Sequence, residues 1–99
     1  MNDQARMRKF LFGRKGGVPK DVRAELHYAA DAINAHQRGM SVPAVCLHYR
    51  YDPIQALTMI ATCCADYGYA ATAAHVPSHI MSIVQVQCPE VAALQPPPR

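Results

Sequence analysis

The residues of this chain that could do covalent chemistry or bind a metal form two short Cys/His groupings. Cys46 and His48 stand two positions apart, and a thiol beside an imidazole is a pairing used in nucleophilic catalysis. His75 and His79 flank a proline-containing turn. Two imidazoles at a turn could hold a metal ion, with Cys46, His48 or Cys88 as further ligands.

Neither grouping has the spacing that such chemistry usually requires. The chain contains no CxxC pair and no HExxH, GxSxG or GxxxxGK[ST] motif. The carboxylates do not pair for acid–base work, and the cysteines lack the spacing of a disulfide framework. We therefore predict no catalytic residue, no metal site and no cofactor, and we interpret the thiols as reduced, small hydrophobic side chains.

Positive charge is concentrated near the start of the sequence. Residues 1–23 hold seven cations against two carboxylates, a net charge of +5, whereas residues 24–99 hold three against five, a net charge of −2. A charged segment of this kind indicates contact with partners rather than a fold. The predicted binding residues are its cations and two aromatic side chains, Arg6, Arg8, Lys9, Phe10, Phe12, Arg14, Lys15, Lys20 and Arg23.

Two kinds of partner fit this segment. Its cations could neutralise phosphates while Phe10 and Phe12 stack on bases, as in a nucleic-acid-binding protein. The same cations could instead meet an acidic protein surface. The apolar run Phe10-Leu11-Phe12 inside the basic segment favours the protein partner.

Tyrosines form a second group of candidate binding residues. Tyr49 and Tyr51 fall close together, as do Tyr67 and Tyr69. Tyrosine is enriched among the residues that dominate protein–protein interfaces, although it also lines the edges of cores. The candidate interface comprises Tyr49, Tyr51, Tyr69, Met81 and Ile83.

Two segments have the period of an amphipathic helix. In residues 19–38, Val22, Leu26, Ala29 and Ile33 follow a 3.6-residue period, with Gly39 as the stop. In residues 53–67, the predicted core stripe is Ile54, Leu57, Ala61 and Cys64, with Ile60 beside it. Asp52 with Gln55 three residues later predicts a capping box, and Gly68 ends the helix.

Three segments have the alternation of strands. Residues 43–51 alternate Val45, Leu47, Tyr49 and Tyr51 with more polar positions. Residues 69–76 and 79–88 are predicted to form a hairpin around Val76-Pro77-Ser78, since proline is tolerated at a turn.

The element order α-β-α-β-β predicts an α+β fold, with a three-stranded, mainly antiparallel sheet and two helices packed on one face. The predicted organisation is a basic N-terminal arm (1–17), a single α+β domain (18–89) and a proline-rich C-terminal tail (90–99).

Composition completes the sequence-based expectation of function. The chain is 51% hydrophobic and only 17% charged, so one domain leaves apolar surface exposed. We expect a protein partner, and we expect the chain to form a homodimer that covers part of this surface. No segment is apolar over the length of a membrane span, and we expect a cytoplasmic protein. We expect a small non-enzymatic interaction protein, an adaptor, regulator or inhibitor of the bacterial or phage accessory kind. The alternatives are a nucleic-acid-binding protein that uses the basic segment and a small thiol or metal protein.

Overall fold

A computed structural model of the protein describes residues 17–94. These residues are all-helical: 78% of them are in helices and none is in a strand. The predicted α+β class, with its three-stranded sheet, is therefore wrong. The six helices of the described part are α1 (Lys20–Gln37), α2 (Val42–His48), α3 (Pro53–Tyr67), α4 (Tyr69–Ala73), α5 (Ser78–Gln87) and α6 (Pro89–Leu94).

Helix α1 lies where the sequence predicted a helix. Its predicted apolar stripe is buried at Leu26, Ala29 and Ile33 and half-buried at Val22. The helix ends in a Schellman motif, in which Met40 N–H donates to the Ala35 carbonyl at 3.1 Å. Gly39 holds the positive φ of +108° that this ending requires.

Helix α3 also has its predicted bounds, because its start signal is strong. The Asp52 carboxylate accepts a hydrogen bond from Gln55 N–H at 2.7 Å, and Gln55 Oε1 accepts one from Asp52 N–H at 3.2 Å. This reciprocal pair is the predicted capping box. Gly68, with a φ of +98°, ends α3 and turns the chain into α4.

The predicted strand 43–51 is instead helix α2 followed by an extended segment. Ser41 caps this helix by accepting a hydrogen bond from Ala44 N–H at 3.3 Å, and a proline stands in its first turn. Serine followed by proline is a helix start, and this local signal prevails over the alternation of Val45, Leu47 and Tyr49. Only Val45 of α2 is buried.

The predicted hairpin 69–88 is a pair of helices, α4 and α5. Pro77 comes directly before α5 rather than inside a strand turn. In α5 the fully buried side chains are Ile80 and Val84, four residues apart, with Met81 beside them. A short apolar run rich in branched residues fits both a period of two and a helical period. In this protein the run forms a helix that buries one of its faces.

The core lies between α1 and α3, which run antiparallel. Asp21 near the start of α1 is close enough to Tyr67 at the end of α3 to affect its pKa, and Ile33 shares a groove with Pro53 at the other end. Small buried residues such as Ala29 and Ala56 let the two helices approach closely.

The remaining helices pack around α3. Helices α4, α5 and α6 all contact it, and Val91 of α6 is fully buried. Residues 90–94, which the sequence analysis placed in the proline-rich tail, therefore belong to a packed helix.

The molecule is thin. Its shortest dimension is 18 Å, which is room for two helices side by side at about 10 Å each. A two-layer arrangement leaves one side of each helix uncovered. Ile54, which the sequence placed in the core stripe of α3, is 72% exposed.

The capping box makes the start of α3 a test of this fold. Replacing Asp52 by alanine removes the acceptor for Gln55 N–H, and we expect the free energy of unfolding to fall by about 1 kcal/mol. Asp52→Asn keeps an acceptor and should lose much less. Urea denaturation followed by circular dichroism measures both. Equal losses in the two variants would contradict the role of the cap.

Candidate functional site

The exposed side chain of Ile54 separates two shallow grooves at the start of α3. It lines both of them, so it forms a ridge with a depression on either side. We call this region the Ile54 surface, and define it by the residues that line the two grooves, Ile33, His36, Gln37, Arg50, Tyr51, Pro53, Ile54, Gln55, Leu57, Thr58, Met59, Ile83 and Gln87.

The first groove lies between α3 and the extended segment before it. It has a volume of about 520 Å³ and is lined by Arg50 and Tyr51 on one side and by Gln55, Thr58 and Met59 on the other. Met59 is half-buried, and an unbranched thioether adapts its shape to whatever packs against it. The groove therefore combines an adaptable apolar floor with polar edges.

The second groove lies where α1, α3 and α5 meet. Its volume is about 230 Å³, and its apolar wall includes Ile33, Leu57 and Ile83. The imidazole of His36 lies at its edge and donates from Nδ1 to the Met40 carbonyl at 2.9 Å. That bond ties the ring to the end of α1 and fixes one rim of the groove.

A polar network holds the Arg50 side of the first groove against α1. Arg50 Nη1 lies 2.7 Å from Glu25 Oε2, and the Arg50 guanidinium lies 4.9 Å from the centroid of the Tyr28 ring. The Tyr51 hydroxyl donates to the other oxygen of the Glu25 carboxylate. An exposed ion pair alone contributes little, but Glu25 here fixes two neighbouring side chains of the extended segment.

This network changes the acidity of Tyr51. The hydrogen bond to Glu25, followed by burial and by the negative charge of Glu25, raises the pKa of Tyr51 from 10.0 to about 12, while Arg50 opposes the change. The phenol therefore keeps its proton at pH values at which an ordinary tyrosine already releases it.

The cysteines of the described part are free thiols in different surroundings. Cys46 is exposed, Cys63 and Cys64 are buried, and Cys88 is half-buried. Burial raises the pKa of Cys63 to about 11, helped by Cys64 and Asp66. Burial also raises the pKa of Cys64, although a hydrogen bond with the Thr72 hydroxyl lowers it in part. The pKa of Cys88 is raised by burial as well. Raised pKa values keep these three thiols in the unreactive protonated form.

The two Cys/His groupings do not assemble into a site. Cys46 and His48 are both exposed on α2, where residues two apart point to different sides of the helix. His79 Nε2 lies 3.2 Å from Asn34 Oδ1 on α1. Within residues 17–94, no group of three or more His, Cys, Asp or Glu side chains is arranged to hold a metal ion.

The sequence-predicted binding residues are dispersed. Arg6, Arg8, Lys9, Phe10, Phe12, Arg14 and Lys15 lie outside the described residues. Lys20 and Arg23 are exposed on the first turns of α1, and Tyr49 and Tyr69 are half-buried at separate places. Tyr51 and Ile83 line the two grooves of the Ile54 surface, whereas Met81 is only 3% exposed and belongs to the core.

The residue that sequence reasoning missed is Ile54 itself. The one available signal was that α3 is apolar around most of its circumference, so that two overlapping stripes fit a helical period. The stripe that is buried runs through Ala56, Ile60 and Cys63, which turns Ile54 outward.

No family model, no curated protein and no solved structure matches this chain. The comparisons thus connect the chain with no catalytic family. Among residues 17–94, no helix has both the length and the apolar character needed to cross a membrane.

The Tyr51–Glu25 hydrogen bond predicts a specific dependence on alkaline pH. The folded chain keeps the Tyr51 proton up to about pH 12, whereas an ordinary tyrosine releases it near 10.0. Its contribution to stability is therefore complete below pH 10 and is lost as the pH rises through 12. In an alkaline titration followed by phenolate absorbance, Glu25→Gln should move one tyrosine to lower pH, and Tyr51→Phe should remove that step.

The thiols give a second prediction. In the folded protein, one thiol, Cys46, should react rapidly with a disulfide reagent, and Cys63, Cys64 and Cys88 should react slowly. All four should react together in denaturant. Cys46→Ser should remove the rapid phase of the reaction. A rapid phase that remains in this variant would show that a second thiol is accessible and contradict the prediction.

Proposed function

We propose that this chain is a small non-enzymatic interaction protein that binds a partner protein through the Ile54 surface. The observation that carries the proposal is the 72% exposure of Ile54 between two grooves with apolar linings. Covering a side chain of this size contributes about 1.5–3 kcal/mol, and the partner's side chains gain similarly from entering the grooves.

The composition of the surface fits a protein interface. Its centre is apolar, with Ile54, Leu57, Met59 and Ile83, and its rim is polar. An apolar centre inside a polar rim is the usual arrangement of an interface. The rim residues are His36, Gln37, Arg50, Gln55, Thr58 and Gln87.

An amphipathic helix is the partner element that suits this surface. Ile54 lines both grooves, and Thr58, one turn further along α3, lines the first. Side chains spaced three and four apart on a partner helix could enter both grooves. Arg50 is the cation of the rim, and an acidic residue at the edge of such a helix would face it.

Charge supports a protein partner over a nucleic acid for this part of the chain. Residues 17–94 contain four Lys and Arg against six Asp and Glu, a net charge of −2. A phosphate backbone is bound by clustered positive charge. The alternative, nucleic-acid binding, depends on the basic residues 6–15, outside the described residues.

The test compares two exposed aliphatic residues on helices. Ile54→Asp places a charge on the ridge, whereas Val86→Asp places one on α5 at a residue that is 77% exposed and lines neither groove. The full chain serves as bait in an extract of its native host. We expect it to capture one protein, which the Val86→Asp variant also captures and the Ile54→Asp variant does not. With that partner purified, Ile54→Asp should raise Kd about tenfold or more, the equivalent of about 1.4 kcal/mol.

Three outcomes would overturn the proposal. The first is capture that both variants keep or both lose. The second is a mass of two copies by light scattering that falls to one copy in Ile54→Asp, because a second copy would then occupy the surface. The third is retention on an oligonucleotide that weakens with salt and survives Ile54→Asp, with no protein partner, since the basic segment would then carry the function.

A further inference from the structure

Glu25 on α1 binds two side chains of the Ile54 surface although it lines neither of the two grooves. Its carboxylate oxygens have different partners: Oε2 lies 2.7 Å from Arg50 Nη1, and Oε1 accepts a hydrogen bond from the Tyr51 hydroxyl. Arg50 and Tyr51 are consecutive and form one side of the first groove. A single carboxylate behind the groove therefore holds this whole side in place.

Tyr28 makes a second contact with Arg50 from outside the grooves. The Arg50 guanidinium lies 4.9 Å from the centroid of the Tyr28 ring, a distance at which a cation is attracted to an aromatic face. A long side chain loses conformational freedom when a binding partner immobilises it, and this loss weakens binding. Because Glu25 and Tyr28 already order Arg50 in the folded chain, a partner that binds Arg50 avoids much of that loss.

The guanidinium of Arg50 has room for a second anion. Its contact with Glu25 is made through Nη1, whereas a guanidinium carries five N–H donors. The Arg50 side chain is 59% exposed, against 33% for Glu25, so the groove side of the guanidinium is accessible. A carboxylate that enters the first groove could accept charge-assisted hydrogen bonds from Arg50 without displacing Glu25.

The charges along the two grooves favour an anion beside Arg50. Among the residues that line the grooves, Arg50 is the only Lys, Arg, Asp or Glu. The carboxylates of residues 17–94 all lie elsewhere. Attraction of opposite charges and repulsion of like charges select among partners. A carboxylate on a partner helix therefore meets no like charge among the lining residues.

We propose that Glu25 is a positioning residue of the Ile54 surface, which orders Arg50 and so makes the first groove selective for a partner helix that carries a carboxylate. This inference rests on the proposed function, to which it adds the residue that sets selectivity. The opposite role for Glu25 is competition with the partner's carboxylate for Arg50. Removal of a positioning residue weakens the preference for a carboxylate, whereas removal of a competitor strengthens it.

A display library of helical peptides measures this preference without knowledge of the natural partner. Peptides of about 15 residues are long enough to form helices in water. With the full chain as target, we expect the selected peptides to share apolar residues three and four apart and an Asp or Glu at one fixed position. A selected peptide should bind with a Kd about tenfold lower than its counterpart with Asn for Asp or Gln for Glu, because hydrogen bonds to charged groups are the stronger kind.

The ratio of these two Kd values is a readout that a merely structural role of Glu25 would not change. Arg50→Gln and Glu25→Ala should bring the ratio close to one. Glu25→Gln should keep part of it, since its amide oxygen still accepts a hydrogen bond. Asp31→Ala, at an exposed residue of the same helix, should leave it unchanged. A ratio that is kept or increased in both Glu25 variants would overturn the proposal.

Ile54→Asp separates this inference from the proposed function. Selected peptides that need Ile54 for binding but show no preference for a carboxylate would overturn the inference and leave the proposed function in place. Peptides that bind the Ile54→Asp chain equally well would contradict both. A library that yields no binding peptide would overturn the inference alone.

Discussion

The structure depends on the packing of α3 against α1. The two helices meet through small buried side chains, among them Ala29 and Ala56, and through larger ones such as Leu26 and Ile60. Every helix after α3 contacts it. The capping box at Asp52 and Gln55 sets the start of α3, and Gly68 sets its end. Two local signals thus fix the bounds of the helix around which the others are arranged.

The same helix explains why grooves lie at both of its ends. Helix α3 is apolar on more than one side, and a molecule 18 Å thick has no layer left to cover its outer face. At its start, the uncovered side chain is Ile54, between two grooves. At its end, the chain turns at Gly68, and residues on both sides of this turn line a third groove. An apolar helix in a thin molecule thus leaves grooves open at both of its ends.

The polar and ionisable side chains near α3 serve the structure. Asp52 and Gln55 cap the helix, and Glu25 holds Arg50 and Tyr51. The thiols of Cys63, Cys64 and Cys88 have raised pKa values and stay protonated. Side chains used in this way are not free for proton transfer or nucleophilic attack, which supports binding rather than catalysis as the proposed role.

The sequence by itself determined α1 and α3. The capping box of α3, the glycine stops of both helices and the buried stripe of α1 are local features that act within a few residues. They predicted both helices within one residue of their bounds. In residues 43–51 the local helix start at Ser41 prevailed over an alternation that favoured a strand. The sequence did not determine residues 69–88, because short runs of branched and aromatic residues satisfy both a period of two and a helical period. There, burial of Ile80 and Val84 on one face decided for a helix.

The candidate site could also be predicted from the sequence only in part. The sequence predicted Tyr51 and Ile83 as surface residues, and both line the grooves. It placed Ile54 in the core and Met81 at the surface, and the structure reverses both positions. Which of two overlapping apolar stripes faces inward depends on the rotation of a helix about its own axis. Only the neighbouring helices set that rotation, and therefore only the tertiary structure decided that Ile54 faces outward.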